Sequence, residues 1–256
     1  MDLGRILGLA ALTLVLSPIA GPSMAEDLQK PLGVIELFTS QGCNSCPPAD
    51  AVFADFAQEG EVVALAYHVN YWDYLGWQDT LGSVESTERQ YDYMKSFGTR
   101  SVYTPQAVIN GRAHVNGAVR SEVTAALDGM SGAGNGLKVG ISVTRSGDSV
   151  VIETDSAKEP VGEAHVVLVY YDPVQPVVIT RGENTGKTVN YWNAVKDIQT
   201  AGMWHGKSAR FEMPVSDMAK KGSNCAVLLQ SAGKDGAPGP ILGAAVIDIP
   251  EARRAE

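Results

Sequence analysis

Apolar residues in the first half of the chain fall into two kinds of run. Leu32–Thr39 and Glu61–Val69 are short and nearly continuous, too brief for buried helices and suited to strands covered on both faces. Between and after them a spacing of three and four takes over. Val52, Phe53 and Phe56 line one face of a helix over Ala49–Ala57, and Tyr91, Met94 and Phe97 line one over Ser83–Phe97. Gln106–Asn110 reads as a strand, Asn110-Gly111 as a tight hairpin turn and Arg112–Val115 as the returning strand. A helix over Arg120–Met130 closes this part.

The small residues Ser131–Gly136 predict a linker. Beyond it the period changes to two: Leu137, Val139, Ile141 and Val143 alternate, Ser146-Gly147-Asp148 turns, and Val150–Ile152 returns. Further strand-like runs are Ala164–Tyr171, Val177–Thr180, Ala209–Met213, Cys225–Gln230 and Leu242–Ile249. Short strands with regular turns predict a mostly antiparallel, sandwich-like domain. The expected organisation is an α/β domain over residues 26–130, a linker at 131–136 and a β-rich domain over 137–256.

Residues 1–25 stand apart. Arg5, the apolar stretch Ile6–Leu16 and the small-x-small signal Ser23-Met24-Ala25 have the form of a secretory signal peptide. Its apolar core is short for a span, and no later run approaches the ~20 apolar residues a spanning helix needs. The expected location is therefore periplasmic or secreted. Net charge is −9 with no basic block, which removes the electrostatic footprint of a nucleic-acid partner. Export reaches compartments where disulfides persist, yet the chain has three cysteines. That number fits one working pair plus one spare better than a disulfide scaffold.

The pair is Cys43-Asn44-Ser45-Cys46, between a strand-like and a helix-like segment. A helix start presents partial positive charge that favours a thiolate, the species that attacks disulfides. In this reading Cys43 attacks, Cys46 resolves, and Pro47 and Pro48 occupy the first helical turn, where a missing N–H costs little. A passive disulfide is the second reading, although a four-residue ring restrains little of the unfolded chain. A copper or zinc carrier using Cys43, Cys46 and His68 is the third. Thr104-Pro105 precedes the second strand pair. Glu36, a lone carboxylate in an apolar strand, is either a proton acceptor behind Cys46 or a paired structural acid. His68, Tyr71, Trp72, Asp73, Tyr74 and Trp77 form an aromatic, polar loop, either a substrate platform or packing over the sheet edge. Cys225 reads as an inert core thiol. Arg181–Lys187 reads as a solvated hairpin connection or a segment touching a partner or the first domain.

The segments VIELFTSQGCNSCPPAD, HVNYWDYLGWQD, VYTPQAVING and RGENTGKTVNYWNAV resemble the secreted bacterial thioredoxin-like family catalogued as domain of unknown function 1223. The likeness runs over nearly all of the chain beyond residue 25. It implies a thioredoxin-like first domain followed by a β-rich region, and places a substrate-presenting cis-proline at Pro105 beside the cysteines. The family carries no established substrate. Gly42 stands where thioredoxins usually have tryptophan, and Asn44-Ser45 replaces Gly-Pro between the cysteines, so neither reductant nor oxidant follows. The expected activity is thiol–disulfide exchange on a protein or peptide, with an unidentified redox partner. No organic cofactor is implied, since the disulfide itself carries the two electrons.

Overall fold

The computed structural model describes residues 30–233 and 236–249; the expected signal segment lies outside them. The first half runs β1 (Val34–Thr39), α1 (Pro47–Glu59), β2 (Val63–His68), α2 (Val84–Phe97), β3 (Gln106–Ile109), β4 (Ala113–Asn116) and α3 (Arg120–Gly132). β1 and β2 are parallel, while β3 and β4 join as an antiparallel hairpin on the other side of β1. The hairpin turns where expected. Asn110 and Gly111 both have positive φ, 49° and 62°, and the Arg112 N–H closes the turn on the Ile109 carbonyl at 2.9 Å before Ala113 pairs with Ile109. Ser83 caps α2, its hydroxyl accepting from the Ser86 N–H at 3.0 Å.

The second half runs β5 (Ile141–Ser146), β6 (Ser149–Thr154), β7 (Ala164–Val178), β8 (Thr188–Trp204), β9 (Ala209–Pro214), the single helical turn α4 (Val215–Met218), β10 (Asn224–Ala232) and β11 (Pro238–Asp248). Here the structure corrects the expectation of a separate sandwich. β7, β8, β10 and β11 extend the sheet of the first half, giving eight strands in the order β11-β10-β7-β8-β2-β1-β3-β4. The joint is a parallel register of β8 on β2 at Ala194 and Ala66, reinforced by the Asn193 amide donating to the Ala64 carbonyl at 2.9 Å. β5, β6 and β9 form a second sheet of three strands. That small sheet packs Val143, Val150 and Ile152 against Leu168, Tyr170, Val227 and Leu229, a local two-layer arrangement on one part of the large sheet.

Strand alternation divides the first half between two cores. Ile35, Leu37, Ala64, Ala66, Ala107 and Ile109 face α1 and α3 and meet Phe53, Phe56, Val123 and Leu127. Val34, Phe38, Leu65, Tyr67 and Val108 face the other way, into a cluster with Tyr93 of α2 and with Val167, Val169, Leu228 and Ile241 of the later strands. β11, three strands removed from β2 in the sheet, therefore packs against α2 and β2. The sheet achieves this by bending along the β7–β8 hairpin, whose register shifts between Val166 and Val167 and again between Tyr170 and Tyr171.

Two sequence expectations change accordingly. Ala164–Tyr171 and Val177–Val178 belong to one strand, which ends before Ile179. Pro173 and Pro176 are tolerated because β10 pairs only with residues 164–171, leaving that side of β7 open beyond them. β8 was not legible as a strand, since its bulges and the positive φ of Asn193 (48°) break the alternation.

Candidate functional site

Cys43 and Cys46 form a disulfide at the N-terminus of α1. Cys46 is the residue before the first helical position and is fully buried; Cys43 retains 3% of its surface. Pro47 and Pro48 remove two of the free N–H groups that a helix start normally offers. Side-chain hydroxyls supply donors to the sulfur instead. Thr104 Oγ1 donates to Cys43 Sγ at 3.2 Å and Ser45 Oγ lies 3.3 Å from the same sulfur. Thr104 is held in turn by the Trp72 indole, whose Nε1 donates to its hydroxyl at 2.8 Å. The Thr104–Pro105 peptide bond is cis. Trp72 reaches this position because residue 42 lacks a side chain: a Cβ on Gly42 would stand 3.1 Å from Trp72 Cβ and 3.2 Å from its carbonyl oxygen.

The segment before Cys43 is clamped from three directions. The Gln41 N–H donates to Asp79 Oδ2 at 2.8 Å, and the Trp77 indole donates to Gln41 Oε1 at 2.8 Å. From the far half of the chain, the Asn184 amide donates to the carbonyls of both Gln41 and Cys43, each at 2.9 Å. Arg181–Lys187 is thus no free connection; its Asn184 is 1% exposed and seated on the cysteine loop.

A buried polar cluster joins α1, β1 and β2 to the loop after β2. Asp50, one helical turn after Cys46, accepts a hydrogen bond from the Thr39 hydroxyl at 2.7 Å, while its second oxygen has no partner. Burial pushes the Asp50 carboxyl up to about 7, against the opposing pull of Thr39 and His68. His68 Nδ1 pairs with Asp79 Oδ2 at 2.9 Å, and both side chains are fully buried. Burial alone would lower the imidazole; the charge and hydrogen bond of Asp79 outweigh it and hold His68 above its ordinary value. Burial likewise opposes ionisation of Asp79, but His68 and the N–H groups of Gln41 and Leu81 hold it below the usual carboxylate range. The Tyr191 ring meets His68 edge-on at 4.7 Å, and its hydroxyl, like His68 Nε2, is buried without a partner.

Glu36 lies elsewhere. Alternation turns it away from Ile35, Leu37 and Thr39, to the face that packs α2. There it meets the Arg89 guanidinium at 2.7 Å and the Tyr93 hydroxyl. It is a paired structural acid, and the buried carboxyl near Cys46 is Asp50. His68 gives its Nδ1 to Asp79, and among the described residues no three His, Cys, Asp or Glu side chains gather as a metal site. Cys225 is buried in β10, and burial raises its thiol to about 12, consistent with an inert core residue. The tryptophans of the aromatic loop pack and also donate hydrogen bonds. Asp50 and Asp79 were not singled out from sequence, and Asn184 only as part of the Arg181–Lys187 segment; Asp50 left a signal of its own, a lone acid one turn after Cys46.

The fold and site together define a mixed α/β protein with a Cys-x-x-Cys disulfide at a helix start. Residues 34–230 match the family described as Protein of unknown function (DUF1223), and the chain belongs to that family. It is similar to the protein AGR_C_4864 from Agrobacterium tumefaciens, known from an X-ray crystal structure, with 43% identity over 89% of this chain and 99% of the other, at a TM-score of 0.79. HBP35 of Porphyromonas gingivalis is similar at a TM-score of 0.59 over 87% of this chain and 76% of the other, with 11% identity, a likeness of fold alone. No curated protein matches. Among the described residues no helix is long and apolar enough to cross a membrane.

Proposed function

We propose that the protein is an extracytoplasmic thiol–disulfide exchange protein acting on protein or peptide thiols, with residues 34–132 forming a thioredoxin-like unit. The observation that carries this reading is the Trp72–Thr104–Cys43 hydrogen-bond chain. Donors aimed at a sulfur stabilise a thiolate more than a thiol or a disulfide, and a passive cross-link has no need of them. The small size of the ring points the same way, since closing four residues constrains the unfolded chain little.

In the reduced protein the Cys43 thiolate attacks one sulfur of a partner disulfide. A mixed disulfide forms and the partner's other sulfur leaves as a thiolate. Cys46 then gives its proton to Asp50, directly or through the cluster around it, and attacks Cys43 Sγ. This closes the Cys43–Cys46 bond and expels the partner's second sulfur. Two electrons pass to the partner, and its two thiolates take up two protons, one of them matching that released by Cys46. The same steps in reverse oxidise a partner dithiol. Cys43 keeps the residual exposure, so it is the sulfur that meets the partner; Cys46, sealed above Asp50, resolves. Thr104 supports Cys43 through its hydroxyl, and Pro105 and its neighbouring backbone present the substrate. Glu36 takes no part.

The test is catalysed reduction of insulin by dithiothreitol and reactivation of scrambled ribonuclease. The protein is expected to accelerate at least one of them, and Cys43→Ser to abolish the effect while remaining folded. A folded wild-type protein that accelerates neither would refute the exchange reading and favour a passive disulfide.

A further inference from the structure

The tip of the β7–β8 hairpin reaches the cysteine loop from more than 130 residues away in sequence. Asn184 is buried, and its polar atoms are all engaged. The two amide hydrogens go to the carbonyls of Gln41 and Cys43, and Oδ1 accepts from the Lys187 ammonium at 2.7 Å. Two carbonyl acceptors on one side and an ammonium donor on the other fix the orientation of the amide, since the flipped amide would face acceptor with acceptor. The fit is also close at Gly182, where a Cβ would lie 3.0 Å from Trp77 Cβ. Lys187 itself is solvent-facing, so its charge is added to a buried amide without being buried.

The arrangement has an electrostatic direction. The carbonyl oxygens of Gln41 and Cys43 are partial negative charges on the loop that carries the sulfur, and unpartnered they would oppose a thiolate there. The Asn184 hydrogens offset them, and the Lys187 ammonium polarises the amide so that its positive end points at Cys43. A disulfide is neutral and gains little from this; a Cys43 thiolate gains more.

We propose that Asn184 and Lys187 are positioning residues that bias the Cys43–Cys46 couple toward its reduced form, so that the β-rich half of the chain sets the redox poise of a pair carried by the other half. The inference rests on the exchange reading for its biological meaning, though the bias itself is a property of the couple. No electron passes through the arm. It shifts the balance of the reaction in which dithiothreitol gives two electrons and two protons to the disulfide and becomes its own cyclic disulfide.

The experiment equilibrates the purified protein with mixtures of reduced and oxidised dithiothreitol, and reads the thiolate fraction of the reduced form from its ultraviolet absorbance against pH. Lys187→Gln is expected to lower the equilibrium constant for reduction about threefold to tenfold, the order for one partly screened charge, and to lower the thiolate fraction at pH 7. High salt should shrink the difference. Lys187→Arg, which keeps the charge, should stay within about twofold of the parent, and Asn184→Ala should shift in the same direction as Lys187→Gln. Melting temperatures separate this from a merely structural clamp. Loss of stability in Asn184→Ala with an equilibrium constant within twofold of the parent would overturn the proposal, as would equal shifts in Lys187→Gln and Lys187→Arg. If the parent is reduced by dithiothreitol but exchanges with no protein substrate, the exchange reading fails and this comparison still stands.

Discussion

Thr104 is the residue whose replacement speaks most directly to the sulfur chemistry. Thr104→Val keeps the shape and removes the hydroxyl that joins Trp72 to Cys43 Sγ. A hydrogen bond to a charged group is worth about 1.5–3 kcal/mol, so the Cys43 thiol of the reduced variant should titrate about one to two units higher. Thiolate absorbance against pH reads this, and an unchanged titration would show that the contact does not favour the thiolate. Asp50 has a signature of its own. Folded, it titrates at about 7, whereas an unfolded Asp titrates near 3.9. Between these values the folded chain holds a proton that the unfolded chain has lost, so this contribution is fully present below about pH 4, declines toward pH 7 and is flat above. Asp50→Asn should therefore gain in melting temperature over the parent at pH 8 relative to pH 5, and lose any inflection near pH 7 in its exchange rate. A constant difference in melting temperature across that range would contradict the raised carboxyl. The cysteines were legible from spacing alone, and Glu36 was legible as a buried acid. Its partner was not, because a strand places successive side chains on opposite faces and the sequence does not say which face meets α1.

The elements around the cysteines fit together through close approaches that spacing cannot reveal. Gly42 looks like a simple loss of bulk before Cys43, but its missing Cβ is what admits the Trp72 backbone. Gly42→Ala should push that segment outward by a few tenths of an ångström and weaken the Trp72–Thr104 bond. At a pH where both proteins carry the full thiolate, the reduced variant should be alkylated at Cys43 several-fold faster than the parent, with only a small loss of melting temperature; an unchanged rate would mean that Trp72 does not shield the sulfur. The strands and helices of residues 32–130 emerged close to their observed bounds because each has one clean period. β8 did not, because half its length covers the bend where the hairpin changes register. A strand that serves two cores in turn has no single alternating pattern, and its docking on β2 was correspondingly invisible.

Across the whole molecule, one buried network ties the two halves. Arg89 of α2 binds Glu36 of β1 and donates to Gln230 of β10 at 3.0 Å, while Gln230 donates to the Tyr93 hydroxyl at 2.8 Å. Arg89→Ala leaves the Glu36 carboxylate buried without its cation, a loss of about 3–5 kcal/mol by analogy with broken buried pairs. Because the sheet and the cluster around Phe38, Tyr93 and Leu228 are shared, that loss should appear in one transition. Tryptophan fluorescence and far-ultraviolet circular dichroism should melt together in both proteins. Separate melting of the halves would contradict a common core. The sequence change at 131–136 suggested a boundary between two units, and α3 does give way to β strands there. What composition could not show is that the later strands finish the sheet of the earlier ones, bringing Asn184 to the cysteine loop. The measurement that bears most directly on function is the reduction potential of the Cys43–Cys46 pair, titrated against glutathione. A value between about −120 and −270 mV, the span of known exchange proteins, is expected. A value below about −300 mV would describe a disulfide too stable to turn over with that couple, and would contradict the exchange reading.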